Sequence, residues 1–228
     1  MIKTSLIILT RNEINGLKSQ IRKIPFETVD ECFAVDFSST DGTIEFFRQN
    51  HIPVIRQTRP GRAQGFIEGA KKAQGEWLIF FSPDGNEDPS DIPELIDLLR
   101  SGYDLAIASR FLKQARNEED DQFFKFRAWA NRGFTYLSRL IWGGNITDSI
   151  NGYRAIKKSV FNKLNLDASG YALEYQMTIR VLKKGYKIGE IPTIEGKRIG
   201  GKSGSEAVPT GLLFIYHLVK EIIIGQRF

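Results

Sequence analysis

Cysteine and histidine are scarce in this sequence. Cys32 is the single cysteine among 228 residues, which excludes an internal disulfide and suits a reducing compartment. The two histidines, His51 and His217, lie far apart in the sequence and have no neighbouring metal-ligating side chains. A zinc site is therefore not expected.

Long apolar segments are missing as well. Charged residues within the first thirteen positions bracket an apolar stretch that is too short for a signal peptide, so none is expected. Residues 211–225 are apolar nearly all round, but three polar side chains interrupt them and they are too few to span a bilayer. We expect this segment to pack on the domain or to lie at a membrane interface.

The size and composition suit a globular protein with a large core. A hydrophobic content of 41% and a charged content of 26% are ordinary for such a chain. We expect one large domain over residues 1–207 and an apolar C-terminal helix over residues 208–228. The net charge of +5 and the pI near 9.2 favour an anionic partner: phosphate ligands, an acidic membrane surface or nucleic acid. Nucleic acid is the least favoured of these, because the basic residues are dispersed and no nucleic-acid motif is present.

Short apolar strands alternate with helical patterns along the chain. The predicted strands cover residues 4–9, 31–36, 53–55, 76–81, 104–108 and 186–191. The predicted helices cover residues 13–23, 43–50, 62–74, 92–101, 123–142, 160–164, 173–184 and 211–225. This alternation predicts an α/β fold with a doubly wound, mainly parallel sheet.

The predicted helix over residues 123–142 has two interpretations. Its apolar side chains fall on one side at helical spacing: Phe126, Trp129, Ala130, Gly133, Leu137 and Leu140. Lys125, Arg132 and Arg139 recur every seven residues beside that stripe. The helix therefore either packs its stripe into the core with a solvated basic edge, or lies at a membrane surface with that edge toward anionic headgroups.

Polar residues follow three of the predicted strands at the point where each strand ends. They are residues 9–13 (Leu-Thr-Arg-Asn-Glu), residues 36–43 (Asp-Phe-Ser-Ser-Thr-Asp-Gly-Thr) and the turn at residues 82–89 (Ser-Pro-Asp-Gly-Asn-Glu-Asp-Pro). The ends of parallel strands meet at one edge of the sheet, which is the usual ligand edge of an α/β fold. Asp84 there could hold a divalent metal against a diphosphate, although a solvated turn that starts the next helix is the plain alternative.

Read together and in this order, these segments resemble family 2 glycosyltransferases of the GT-A fold, most closely the dolichyl-phosphate mannose synthase-like branch. Further segments that carry the resemblance are residues 61–65, 108–111, 146–154, 184–192 and 198–203, so that it extends from about residue 4 to residue 204. It implies a Rossmann-like mixed, mainly parallel sheet flanked by helices, and a metal-dependent transferase with a nucleotide-sugar donor.

The sequence departs from the family pattern at two positions. The second Asp of the Asp-Asp-Gly-Ser motif is Phe37, and the first Asp of the metal motif is Ser82. Asp84, with Asn86 assisting, would then bind Mg²⁺ or Mn²⁺, since Mg²⁺ keeps several waters and takes other ligands from substrate phosphates. These departures leave open a nucleotide-sugar-binding module without catalysis.

The resemblance and the residue chemistry together assign roles on the donor side. The residues expected to bind the nucleotide sugar, a UDP- or GDP-sugar, are Thr10, Asn12, Glu13, Asp36, Ser39, Arg62 and Ser82. Arg62 stands at a predicted helix start in a Gly-rich segment, which suits a phosphate.

The acceptor side is expected to depend on arginine. A phosphate is already ionised near neutral pH and needs cations, whereas a sugar hydroxyl needs a general base. Arg110, Arg154 and Arg198 would bind an acceptor phosphate through their planar guanidinium groups. Asp148 and Glu174 would orient these arginines or act as the base. The catalytic residues are thus expected to be Asp84, Arg110, Asp148, Glu174 and Arg198.

The favoured function is transfer of a sugar, with inversion, to a polyprenyl phosphate at the cytoplasmic face of the membrane. The protein would be peripheral to that membrane. The alternative within the family is a saccharide acceptor in the synthesis of cell-surface glycans.

Overall fold

The computed structural model describes residues 3–117, 126–199 and 207–228, with the side chain of Ala207 excepted. The strands in these ranges are β1 (Thr4–Thr10), β2 (Glu31–Asp36), β3 (Val54–Arg56), β4 (Trp77–Phe81), β5 (Leu105–Ser109), β6 (Arg154–Lys157) and β7 (Ile188–Pro192). The α-helices are α1 (Ile14–Gln20), α2 (Thr43–Gln49), α3 (Arg62–Lys72), α4 (Ile92–Arg100), α5 (Phe126–Trp142), α6 (Lys158–Lys163), α7 (Ala172–Lys183) and α8 (Ala207–Ile224). Lys125, the charged residues 118–121 and the closing motif residues 200–203 lie outside the described residues.

The strands form one mixed, mainly parallel sheet in the order β3-β2-β1-β4-β6-β5-β7. Strand β6 runs antiparallel to β4 and β5, and the other neighbours are parallel. The predicted α/β class is confirmed. The sequence pattern did not predict β6, which is inserted between β4 and β5 and thereby separates two parallel halves of the sheet.

Two apolar cores cover the two faces of this sheet. Alternate side chains of the central strands point to opposite faces, so that Ile7 of β1 and Phe80 of β4 join one core while Ile8 and Phe81 join the other. Helices α3 and α7 contribute to the first core, and α1 and α4 to the second. Strands β1 and β4 are buried along their whole length, which explains their nearly continuous apolar sequences.

Helix α8 docks on α7 through a buried ion-pair cluster. Glu221 is fully buried, and its carboxylate contacts Arg180 at 2.8 Å and Lys183 at 2.7 Å. Next to this cluster the ring of Phe214 packs against Phe134 of α5 and Tyr175 of α7, at centroid distances of 5.3 and 5.4 Å. The C-terminal helix is therefore joined to the α/β domain by specific contacts.

The outward faces of α5 and α8 are apolar. On α5 the small or polar side chains Ala128, Thr135 and Ser138 face inward. The large exposed apolar side chains of the two helices are Phe126, Trp129, Tyr136, Leu137, Leu140 and Ile141 on α5, and Val208, Leu212, Ile215, Tyr216, Val219, Ile222 and Ile223 on α8. The interpretation of α5 as a helix that packs its stripe into the core is therefore wrong, because that stripe faces solvent. We call these side chains the outward apolar surface.

Basic residues border this surface on α5. Arg132 and Arg139 are exposed, as the seven-residue spacing indicated. Among the described residues, no helix has both the length and the hydropathy of a membrane span.

Candidate active site

Two connected cavities lie where β1 and β4 end. The strand-end cavity, of about 660 Å³, is bounded by the end of β1, the start of α3 and the start of α8. The helix-side cavity, of about 350 Å³, is bounded by the turns after β4 and before β6 and by α5, α7 and α8. Both cavities are lined by Arg62, Ser82, Asp84, Tyr171, Arg198 and Thr210. These shared residues mark the junction where a ligand in one cavity would meet a ligand in the other.

At this junction Arg198 bridges two carboxylates. Its guanidinium donates to Asp84 Oδ2 at 2.5 Å and to Glu13 Oε1 at 3.2 Å. Burial, together with the nearby charge of Asp84, raises the pKa of Glu13 to about 7, although Arg198 opposes the shift. Glu13 Oε2 is buried and has no hydrogen-bond partner among the described residues. The junction thus holds two carboxylates that share one cation.

The turn after β4 offers some, but not all, of the ligands that a divalent cation needs. Within the ranges that the structure covers, no three acidic, imidazole or thiol side chains converge as metal ligands. Asp84 offers a carboxylate at the cavity junction, and the unpartnered Glu13 oxygen lies beside it. Asn86 lines the helix-side cavity, while its Nδ2 donates to the Gly196 carbonyl at 2.9 Å. A site with so few protein ligands suits Mg²⁺ or Mn²⁺ only if water and a diphosphate complete the coordination.

Arg62 stands at the start of α3 and crosses the floor of both cavities. Its Nε donates to Glu174 Oε1 at 2.5 Å, and its Nη1 donates to Ser82 Oγ at 3.0 Å. Gly152 makes room for this arrangement, because a Cβ there would come within 2.1 Å of Arg62 Nη2. Glu174 Oε2 is buried and has no hydrogen-bond partner among the described residues. One carboxylate oxygen therefore remains available to a ligand in the helix-side cavity.

Arg110 faces the helix-side cavity with a carboxylate behind it. Asp148 accepts two hydrogen bonds from Arg110, at 2.7 and 3.0 Å, and is itself fully buried. Burial opposes ionisation of Asp148, but Arg110 and the backbone N–H groups of Ile150 and Asn151 outweigh it and lower the pKa. Asp148 lines neither cavity. Its position is that of a residue that orients Arg110.

The predicted donor-side residues separate into two groups. Thr10 and Asn12 line the strand-end cavity, as do Glu13, Arg62 and Ser82. Asp36 and Ser39 do not line it: the Asp36 carboxylate accepts hydrogen bonds from the backbone and side chain of Ser39. The Ser39 hydroxyl in turn accepts from the Asn12 N–H at 2.8 Å. In this structure Asp36 therefore ties together the loops after β1 and β2.

Arg154 does not reach either cavity. It is fully buried, and its guanidinium donates to the carbonyl groups of Asn151 and Glu174 and to the Thr178 hydroxyl. The expectation that it binds an acceptor phosphate disagrees with this placement. It lies in β6, the strand that the sequence did not predict, and its side chain points into the protein to satisfy backbone carbonyls.

Several cavity residues were missed by the sequence analysis. Tyr171 lines both cavities, Phe37 lines the strand-end cavity, and Arg127, Glu87 and Glu195 line the helix-side cavity. Phe37 was noted only as a departure from a motif, and the Arg11 guanidinium lies 5.3 Å from its ring centroid. Arg127 carries no sequence signal beyond its place on a helix with an apolar stripe.

The family model described as "Glycosyl transferase family 2" matches residues 5–164. The match contains both the Asp84 turn and the arginines at positions 62 and 110.

Two curated relatives resemble most of the chain. The Dolichol-phosphate mannosyltransferase of Pyrococcus furiosus is 29% identical over 96% of this chain, and the Undecaprenyl-phosphate mannosyltransferase of Micrococcus luteus is 29% identical over 89%. The alignment covers 64% of the first relative and 90% of the second. The chain spans 60% to 64% of the length of two of the curated relatives that it matches.

The fold is also found among solved structures. Glucosyl-3-phosphoglycerate synthase from Mycobacterium tuberculosis, in complex with Mn²⁺, UDP and phosphoglyceric acid, superimposes with a TM-score of 0.77. The identity is 17%, and the match covers all of this chain and 79% of that one. At this identity the likeness shows the fold.

Proposed function

The chain belongs to glycosyl transferase family 2, and we propose that it transfers a sugar from a nucleotide-sugar donor to a polyprenyl phosphate. The observation that carries this proposal is the helix-side cavity. Helices α5 and α8, which also carry the outward apolar surface, form part of its wall. Four arginines line this cavity: Arg62, Arg110, Arg127 and Arg198. Such a cavity suits a phosphate attached to an apolar chain.

The acceptor is proposed to bind through its phosphate. An ionised phosphate oxygen can attack the anomeric carbon without a general base, so its main requirement is positive charge that holds it in place. Arg110 is oriented for this by Asp148, which accepts both hydrogen bonds from one edge of the guanidinium. Arg127 would supply a second cation from α5.

The donor is proposed to bind in the strand-end cavity with its diphosphate at the junction. Asp84 and Asn86, with Glu13 beside them, would hold a divalent cation, which would neutralise charge on the departing diphosphate when bound. Arg62 would hold the diphosphate from the other side, because its guanidinium already spans Ser82 and Glu174. A single in-line displacement at the anomeric carbon would invert its configuration.

The names of the relatives support the lipid acceptor. Both curated relatives are named for mannosyl transfer to a polyprenyl-type phosphate. A saccharide acceptor is the second candidate, and the observation that favours it is the unpartnered Glu174 oxygen in the helix-side cavity, which could act as a base.

A transfer assay distinguishes these candidates. We expect the purified chain, with Mn²⁺ or Mg²⁺ and radiolabelled UDP- and GDP-sugars, to label undecaprenyl or dolichyl phosphate. The measurement is the label recovered in the organic phase. Mild acid is expected to release it, because a sugar 1-phosphate ester is acid-labile. Labelling of an added oligosaccharide with no labelled lipid would contradict the lipid acceptor. Donor binding without either product would support a binding module.

We also propose that the outward apolar surface contacts the cytoplasmic face of a membrane. The inward side of α5 carries small or polar side chains, while the large exposed apolar side chains of α5 and α8 point away from the protein. An exposed surface of this kind marks an interaction site. Arg132 and Arg139 beside it would each add roughly 1 kcal/mol near an anionic surface.

Substitution on this surface is expected to release the protein from vesicles. The double variant Leu212→Glu/Ile223→Glu places two charges on exposed positions of α8. It should weaken binding to phosphatidylserine-containing vesicles by at least about tenfold, because each apolar side chain that enters the membrane contributes about 1.5–3 kcal/mol. Arg48→Glu is a matched control with the same change in net charge at an exposed position of α2. The measurement is co-sedimentation at low and high salt. Equal binding of the two variants would remove the support for a membrane-facing α8.

A further inference from the structure

Gln57 is a buried residue directly after β3, and it lines the strand-end cavity. Its main chain is fixed, because its N–H donates to the Asp36 carbonyl at 2.8 Å. Its side-chain Nε2 donates to two carbonyls in the loop before α3, that of Arg59 and, at 2.9 Å, that of Gly61. The amide group therefore has one orientation, since the reverse one would place its oxygen against two carbonyl oxygens.

This orientation leaves the amide oxygen of Gln57 without a donor. Its Oε1 accepts no hydrogen bond from any residue that the structure describes. It faces Gly65 of α3, where an added Cβ would come within 3.2 Å both of this oxygen and of Leu9 Cδ2. The absence of a side chain at residue 65 thus keeps the space in front of the oxygen open to the strand-end cavity. Because Gln57 is only 7% exposed, a ligand with a suitable donor would satisfy an acceptor that water reaches poorly.

The place of Gln57 in the sheet suits contact with the base of the donor. Asp84, where the donor diphosphate is proposed to bind, follows β4, whereas Gln57 follows β3, on the far side of β1 and β2. Gln57 lines the strand-end cavity and not the helix-side cavity. The same is true of Phe37, which follows β2 and offers an aromatic face on which a base can stack. A nucleotide with its diphosphate at the junction would therefore extend its base toward these two residues.

We propose that Gln57 recognises the base of the nucleotide sugar, its Oε1 accepting a hydrogen bond from a ring N–H. Uracil N3 and guanine N1 each carry such a hydrogen, whereas the corresponding ring nitrogens of cytosine and adenine are acceptors. The site would therefore select a UDP- or GDP-sugar over a CDP- or ADP-sugar, because two acceptors that face each other both stay unpaired. This inference rests on the proposed function, because it assumes that a nucleotide sugar binds in the strand-end cavity.

Methylation of that ring nitrogen tests the contact directly. Whichever of UDP and GDP the wild-type protein binds, it should bind the N3-methyl or N1-methyl form at least about tenfold more weakly. Gln57→Ala removes the acceptor and opens space for the methyl group, so this ratio should fall to about threefold or less. Gln57→Glu should keep the discrimination. A carboxyl group buried beside two carbonyls stays protonated, donates its O–H to one of them and leaves its other oxygen as an acceptor.

The measurement is calorimetric titration of each nucleotide and its methylated form in the presence of Mn²⁺. Each ratio compares two ligands on the same variant, so any loss of folded protein cancels. Gln49→Ala, at the exposed last residue of α2, is the matched control and should keep the wild-type ratio.

Three results would overturn this inference alone. The wild-type protein could bind the methylated and unmodified nucleotides equally, or the Gln57→Ala variant could discriminate as strongly as the wild type. A Gln57→Glu variant no more selective than Gln57→Ala would overturn it too, because the loop, and not the acceptor oxygen, would then decide. A wild-type chain that binds neither UDP nor GDP would contradict the proposed function and this inference together.

Discussion

Replacement of Asp84 by alanine is expected to reduce sugar transfer by at least about 10³-fold, because it removes the carboxylate at the cavity junction that would hold the divalent cation. Asp84 lies at the junction of both cavities, and its side chain contacts Arg198. The Mn²⁺-dependent part of nucleotide binding should disappear with it. Binding in EDTA should persist, since the strand-end cavity remains intact.

Transfer, calorimetry and thermal unfolding together check this expectation. Asp97→Ala is a suitable control, because Asp97 is an exposed carboxylate of α4 that pairs with Arg100 in the same helix. The control should keep normal transfer and normal metal dependence. An Asp84→Ala chain that is folded and transfers sugar at a near-normal rate would show that the assignment of this turn is wrong.

Replacement of Glu221 by alanine is expected to destabilise the protein by about 3–5 kcal/mol, the usual cost of removing one partner of a buried ion pair. Glu221 is fully buried, and the variant would leave the charges of Arg180 and Lys183 facing each other without it. In a chain of this size such a loss lowers the melting temperature by about 10 °C. The C-terminal helix should become the first part of the protein that a protease cleaves.

The neighbouring residue provides the control for this measurement. Lys220 lies on the same helix as Glu221 and pairs with Asp167, in the loop before α7, at 2.5 Å in a partly exposed ion pair. Its replacement by alanine should cost no more than about 1 kcal/mol, as for other surface pairs. Urea unfolding and limited proteolysis of the two variants would be compared. Equal stability would mean that the buried cluster does not hold α8 in place.

The general architecture was predictable because strand and helix periods are local properties of the sequence. The buried strands β1 and β4 carry apolar runs, and the polar residues after them come together because parallel strands end at one edge. Strand β6 escaped prediction for the opposite reason. It has four residues, begins with Arg154, and is defined by antiparallel pairing with strands distant in sequence.

Side-chain direction was the part of the site that the sequence could not predict. Motif positions drew attention to Asp36 and Arg154 as ligand-binding residues, yet both side chains point into the protein and are held by neighbouring groups. Glu87 and Tyr171 carry no pattern of their own, and only the folding of a turn and a loop brings them to the cavities. The apolar stripe of α5 was found by its period, but a period does not say whether a stripe faces the core or solvent.

The arrangement of α8 also bears on how this protein can change over evolutionary time. Its anchoring residues, Phe214, Leu218 and Glu221, lie on one side, and its exposed apolar residues lie on the other. Substitutions at exposed positions away from specific contacts usually change folding stability by less than about 0.5 kcal/mol. Mutations of the exposed residues can therefore accumulate under selection for what this side of the helix binds. The anchoring residues on the opposite side are selected for folding stability. The two properties can diverge independently within a single helix of 18 residues.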